Sequence, residues 1–326
     1  MYRNQAPRPA RRALSSLAGM ALLLVCPVVA AGSQTAPTLE RSTVRADDGE
    51  TLVVWTKRPA RTAVGAILLL HGRTWSALPN FDLHVAAHSL STMDALVASG
   101  YAVYALDQRG YGATHRDSSG WLTPDRAAHD VADVLDWIDA REQRLSGHRG
   151  DRPALLGYSR GSMTALLVAQ RYPDKLSRVI AYGFPYDPKA LPVAGADSTS
   201  PPRSPPRVRT TLSAAGEDFT IAESPGAAVK DAYMHAAVRA DSIRVDWTSE
   251  GEFGVLDPGR IRVPILFLNG ERDPYVRRSV TPEFFAHLGA VDRTWTVLAN
   301  ADHVAHLERP GAFVRAVTGF LGRSRD

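Results

Sequence analysis

Seven short apolar runs, separated by stretches of helical periodicity, constrain this chain more than any other feature. They are Leu52 to Trp55, Ala66 to Leu70, Tyr101 to Leu106, Ala154 to Leu156, Val179 to Tyr182, Ile265 to Leu268 and Trp295 to Leu298. Most do not alternate apolar with polar residues, and a strand that is apolar at consecutive positions must be covered on both faces. Between them lie helices. Thr123-Pro124-Asp125 supplies an N-cap and a proline at the first helical position, and Val131, Val134, Leu135 and Ile138 then recur at helical spacing. Met163 to Tyr172 predicts a second helix, stopped by Pro173, and Pro310 opens a last one carrying Phe313, Val317, Phe320 and Leu321. Strands alternating with helices imply an α/β fold, a mostly parallel central sheet flanked by helices. A chain of 326 residues, 44% of them apolar, can fill such a core as one domain, expected over residues 32–326. One stretch breaks the rhythm. Pro185 to Pro206 holds seven prolines in 22 residues, and a mixed region follows to Pro258. It reads as an insertion, about residues 185–258, between two core strands.

The strand at Ala154 runs into Gly157-Tyr158-Ser159-Arg160-Gly161, and a helix follows. The pattern G-x-S-x-G between strand and helix predicts a sharp turn that exposes the serine hydroxyl, with glycines where a Cβ would collide. A serine hydroxyl needs a base to become a nucleophile. His303, after the strand ending at Leu298 and before the last helix, is the candidate, with His306 three residues on as its competitor. An acid must fix the imidazole's tautomer and stabilise its charge. Asp273, just past the Ile265 to Leu268 strand, stands at the carboxyl end where open α/β sheets place ligand sites. Asp187 is the alternative acid, and Glu271 and Asp302 are weaker rivals. A tetrahedral oxyanion needs two preorganised N–H donors. The backbone of Arg160 offers one.

These pieces together resemble the α/β-hydrolase fold superfamily, in its serine hydrolase branch of esterases and lipases, over about residues 45 to 322. The resemblance rests on His71-Gly72, on Asp107-Gln108-Arg109-Gly110-Tyr111-Gly112, on the Ser159 turn, and on Asp273 and His303. It implies a second oxyanion donor at the Arg73 N–H, a structural role for Asp107 to Gly112, and a cap over the site formed by the insertion. It also implies hydrolysis of a carboxylic ester or related acyl bond through an acyl-enzyme on Ser159. Aminopeptidase or acyltransferase chemistry is the alternative, since relatives that cleave peptides place cap acids around a free amine and this cap has Glu217, Asp218 and Glu223. A binding protein that kept the fold but not the chemistry is the non-enzymatic alternative. Epoxide and haloalkane chemistry is disfavoured, because relatives with those activities carry aspartate at the position of Ser159. Arg73 and Arg160 are unusual in these two loops. A guanidinium turned into the pocket would pair with a substrate carboxylate, and one turned away would pair with the protein or lie at the surface. Trp75 is a candidate for the pocket wall.

The first 31 residues differ from the rest. Arg3, Arg8, Arg11 and Arg12 precede an apolar run from Leu17 to Ala31 that ends in Val28-Val29-Ala30-Ala31-Gly32, the layout of a cleaved secretory signal peptide. Export, periplasmic or secreted, is therefore expected, with no membrane anchor left after cleavage. The segment holds four arginines and no acid, so it accounts for the whole formal charge of +4 and leaves a balanced remainder. Such balance gives no sign of nucleic-acid binding, and the expected partner is a small ester-like molecule. The single cysteine, Cys26, lies in the same segment, so the mature chain has no disulfide to lean on. His84 and His88 stand four apart, but Val85 replaces the glutamate of a zinc-protease helix, and no phosphate or dinucleotide loop is present. No metal or cofactor is expected.

Overall fold

The computed structural model describes residues 37–85, 88–148, 150–192 and 204–323. The expected signal peptide lies outside them. Eight strands form the central sheet: β1 (Glu40–Arg45), β2 (Thr51–Lys57), β3 (Gly65–Leu70), β4 (Tyr101–Asp107), β5 (Ala154–Tyr158), β6 (Val179–Tyr182), β7 (Ile265–Gly270) and β8 (Arg293–Leu298). Their spatial order is β1-β2-β4-β3-β5-β6-β7-β8. β1 and β2 run antiparallel to their neighbours, and every other pairing is parallel.

The non-alternating runs have the predicted cause. In β3, Ala66, Leu68 and Leu70 enter the apolar cluster on one face of the sheet, while Ile67 and Leu69 enter the cluster on the other. β4 divides the same way, Ala102, Tyr104 and Leu106 against Val103 and Ala105. Each leucine, isoleucine or valine so taken from water contributes about 1.5–3 kcal/mol, and that burial takes the part that disulfides play in some exported chains. Helix Pro124–Ser146 begins as expected, with the Thr123 side chain accepting a hydrogen bond from the Arg126 N–H. Helix Arg160–Arg171 begins directly after Ser159, three residues earlier than the sequence suggested. Helix Pro310–Leu321 lays Phe313, Val317, Phe320 and Leu321 on the sheet.

Between β6 and β7 the chain leaves the sheet and forms helices Leu212–Gly216 and Ala227–Ala240, a two-residue strand Asp246–Trp247 and a 3-10 turn Glu250–Val255. Val229, Tyr233 and Ala237 of the longer helix share an apolar cluster with Trp75, Leu83, Val304 and Leu307, which tethers this excursion to the sheet's carboxyl edge. Asp241 ties it down again, accepting the backbone N–H groups of Ser76 and Gly112, each at 2.8 Å. Among the described residues no helix is long and apolar enough to cross a membrane. His84 and His88 fall in a small antiparallel hairpin rather than on one helix face. His84 neighbours Asp82 and Asp94, but Lys57 Nζ already sits 2.6 Å from both carboxylates and fills the place of a cation.

Candidate active site

Parallel register brings the strand ends to one level. Tyr158 lies beside Tyr182, and Tyr182 beside Leu268, so the residues that follow β5, β6 and β7 emerge together. Ser159 follows β5 with φ 54° and ψ −125°, a conformation that costs a non-glycine residue about 1–3 kcal/mol. Its N–H donates to the Tyr182 carbonyl at 2.8 Å, and its own carbonyl accepts from the Ser162 N–H and hydroxyl. A Cβ on Gly157 would lie 2.2 Å from the Gly161 carbonyl oxygen, and one on Gly161 would lie 2.3 Å from the His71 carbonyl oxygen. The two glycines therefore let helix, strand and the β3 loop close up around the serine.

Asp273 sits in the turn after β7. One carboxylate oxygen accepts the Tyr275 N–H at 2.9 Å, and the other lies 2.9 Å from His303 Nδ1. Both side chains are buried. The imidazole is held between the rings of Tyr158 and Tyr275, at centroid distances of 4.9 and 4.6 Å. Burial alone would disfavour its charged form, but the charge and hydrogen bond of Asp273, with Asp218 and Asp302 beyond, outweigh it and raise the His303 pKa above 6.5. Gly183, directly after β6 at φ +60°, gives this pair its room.

The rivals have other duties. His306 is buried among Phe81, Tyr158, Tyr182 and Phe313, and burial, with His303 nearby, pulls its pKa down to about 3. It is a neutral core residue. Asp302 accepts the N–H and hydroxyl of Thr220 and the N–H of Ile221, and so fastens the excursion to the His303 loop. Asp187 faces Arg277 at 3.6 Å, and Glu271 accepts the Asn300 N–H.

In the β3 loop, His71 is wholly buried. Its Nδ1 lies 2.8 Å from the Gly72 carbonyl, and its Nε2 accepts the Gln108 N–H at 3.1 Å. Burial lowers its pKa to about 4, so the neutral ring donates from Nδ1. This fixes the Gly72–Arg73 peptide, whose N–H points opposite to the carbonyl that His71 holds. Tyr111 adds a second restraint by donating to the Arg73 carbonyl while it accepts from Trp247 Nε1. Arg160 is the first residue of its helix, where a backbone N–H has no acceptor within the helix. Asp107 and Arg109 are structural, as the resemblance implies. Asp107 accepts from Trp55, Ala77 and Ala113, and Arg109 binds Asp48, Asp117 and Asp130.

Ser159 and His303 line one cavity of about 240 Å³, together with Arg73, Arg160, Arg244, Glu217, Asp218 and Tyr275. The guanidinia of Arg73 and Arg160 both pair with one protein carboxylate, Glu250. Trp75, expected at the pocket wall, borders a smaller recess of about 40 Å³ beside Ser159, but is 2% exposed and belongs to the apolar cluster under the excursion. Its main contribution is packing. The sequence did not single out Gly183, Arg244, Glu250 or Tyr275. Only Gly183 left a readable trace, a glycine directly after a strand that should end level with Ser159.

A family model for serine aminopeptidases, S33, matches residues 62–310. The chain belongs to this family. No curated protein matches it. Solved structures agree on the fold of this S33 hydrolase. A hydrolase from Pseudomonas aeruginosa is 19% identical, with a TM-score of 0.61, over 87% of this chain and 99% of the other. Epoxide hydrolase A from Mycobacterium thermoresistibile is 19% identical, with a TM-score of 0.62, over 89% and 100%. An enol-lactonase from Burkholderia xenovorans is 17% identical, with a TM-score of 0.55, over 86% and 100%. At these identities the likeness is one of architecture, an α/β-hydrolase with its ligand edge at the strands' carboxyl ends.

Proposed function

We propose that this S33 hydrolase cleaves a carboxylic ester or a related acyl bond through an acyl-enzyme on Ser159. The observation that carries the reading is the strained Ser159 turn opening into the same cavity as His303, whose Nδ1 the buried Asp273 carboxylate engages behind it. With Nδ1 engaged by Asp273, His303 has Nε2 left to take the Ser159 proton as Oγ attacks the carbonyl carbon. The oxyanion is stabilised by the Arg73 and Arg160 N–H groups. His303 then returns the proton to the leaving alcohol, and a water activated by the same nitrogen hydrolyses the acyl-enzyme. A fluorophosphonate probe tests this directly. The wild-type chain should be labelled and Ser159→Ala should not, and equal labelling of both would sink the assignment.

A second reading has its own support. Glu217 and Asp218 line the cavity, and burial raises the Asp218 pKa despite the nearby His303. A free substrate amine would pair with the Asp218 carboxylate and favour its charged form, as in an aminopeptidase. Comparing p-nitrophenyl acetate with aminoacyl p-nitroanilides separates the two. For location, we propose export directed by residues 1–31, checked by N-terminal sequencing of the chain recovered outside the cytoplasm.

A further inference from the structure

Glu250 approaches both Arg73 and Arg160, with Arg73 Nη2 2.8 Å from one oxygen and Arg160 Nη1 on the other. One carboxylate thus serves two guanidinia. Arg160 also rests on the Phe253 ring, its Cζ 5.6 Å from the centroid, so its plane is fixed on one side by an aromatic face and on one edge by Glu250. Each guanidinium carries five N–H donors, and a single partner leaves most of them without a protein acceptor. Arg73 Nε is buried with no hydrogen-bond partner among the described residues. Arg244 reaches the same cavity from the excursion and, among the described residues, has no carboxylate partner. Two arginines share one glutamate and a third lines the same cavity as Ser159, so guanidinium donors at the site outnumber the acceptors of the one carboxylate the two share.

Resting on the reading of Ser159 as nucleophile, we propose that these arginines form an anion subsite, and that the substrate is an ester carrying a free carboxylate. The arginine fork suits a planar carboxylate, which it can bind through two parallel hydrogen bonds. The site's place in the mechanism explains its use. The backbone N–H groups of Arg73 and Arg160 face the reacting carbonyl, so their side chains start from the same two residues and reach the substrate a few bonds away. Glu217 and Asp218 line the same cavity and repel an anion, so the charged end of the substrate has one orientation. With a half-ester of a dicarboxylic acid, one water adds across the acyl C–O bond. A dicarboxylate and an alcohol leave, and the proton of the new acid goes to solvent by way of His303. The same arginines would equally hold a carboxylate placed on the alcohol half.

Two matched pairs of esters decide both points. Mono-p-nitrophenyl glutarate against p-nitrophenyl valerate places the charge on the acyl half, and 4-acetoxybenzoate against phenyl acetate places it on the leaving half. In one pair the anionic member should have the higher kcat/KM. That anionic-to-neutral ratio should fall roughly 10- to 100-fold in Arg160→Gln and in Arg244→Gln, the range for losing one charge-assisted hydrogen bond. Arg244 is exposed, so its variant keeps the fold whatever happens to Arg160→Gln. Neutral esters favoured in both pairs, or a ratio unchanged in both variants, would overturn the subsite while leaving the fluorophosphonate result intact. Should Ser159 fail to label and no ester turn over, calorimetric titration of glutarate into the wild-type chain still decides. Binding that disappears in Arg160→Gln supports the subsite, and no binding overturns it.

Discussion

Replacing Gly183 by alanine tests whether the His303–Asp273 geometry governs activity. A Cβ there would lie 3.0 Å from His303 Cε1, 3.1 Å from Nδ1 and 3.3 Å from Asp273 Oδ2. Relieving those contacts to ordinary van der Waals separation requires a movement of roughly half an ångström. His303 cannot retreat freely, because Tyr158 and Tyr275 flank it and Asp273 holds its Nδ1. A displacement of that size at a proton-transferring group should lower kcat/KM by about 10- to 100-fold. The backbone adds its own cost, since alanine at φ +60° is disfavoured by about 1–2 kcal/mol, which should lower Tm by roughly 2–8 °C. Gly147→Ala separates the two effects. Gly147 has φ +73°, but a Cβ there meets nothing within 4 Å, so this variant carries the backbone cost alone. Steady-state hydrolysis of p-nitrophenyl acetate and scanning calorimetry on both variants are the measurements. Gly183→Ala should lose activity beyond Gly147→Ala at similar Tm. Equal activity in the two variants would refute the claim that close packing positions the base.

Other substitutions probe the supports around this pair. Asp273→Asn removes the carboxylate charge that leads the interactions raising the His303 pKa and leaves burial in place, so the ring's NMR titration should move downward and kcat should fall on the order of 10⁴-fold. In the wild type the base is spent when protonated, so kcat/KM should rise with pH through a limb above pH 6.5, where the raised His303 pKa lies. Asp302→Ala strands the Thr220 and Ile221 donors, and it should cost about 2–4 kcal/mol in urea unfolding and speed proteolysis near residue 220. Arg109→Met leaves Asp48, Asp117 and Asp130 facing one another and should destabilise by about 3–5 kcal/mol in denaturant titration. Arg109 holds the Asp48 pKa down at about 2, so the Asp48 share of stability is present above pH 4 and disappears as the pH falls toward 2. That share should be absent from the variant's pH profile.

The strands were legible because burial on both faces leaves an uninterrupted apolar run, a signal that local composition alone carries. β1 was missed for the opposite reason. Only Val44 of Glu40–Arg45 is buried, so this edge strand reads as ordinary polar chain. In helix Ala227–Ala240 the buried face is Val229, Tyr233 and Ala237, three residues in fourteen, too thin a stripe to stand out after a proline-rich approach. The site divides along the same line. Ser159, Asp273 and His303 each follow an apolar run, so the run that marks the strand also marks the residue at its end. What Glu250 does could not be read, because its partners Arg73 and Arg160 stand about 180 and 90 positions away and meet it only through the path of the excursion.

That division has a physical consequence for how the site can vary. The positions of Ser159, Gly183 and Asp273 follow from strand register, which a sheet buried on both faces permits in one setting only. Moving any of them would mean slipping a strand and turning its buried set toward the wrong cluster. Glu217, Asp218, Arg244 and Glu250 stand under no such constraint. They hang on the β6–β7 excursion, which is anchored from outside the strand ladder, through polar contacts such as those at Asp241, Asp246 and Asp302 and through side chains in two apolar clusters. The charge lining the cavity can therefore be rewritten without disturbing the sheet that positions Ser159, His303 and Asp273. Arg160 is the exception that joins the two halves. Its backbone belongs to the register-fixed turn, while its side chain takes its orientation from Glu250 and Phe253 of the excursion. A change at Glu250 thus reaches the residue next to Ser159 without moving Ser159 itself.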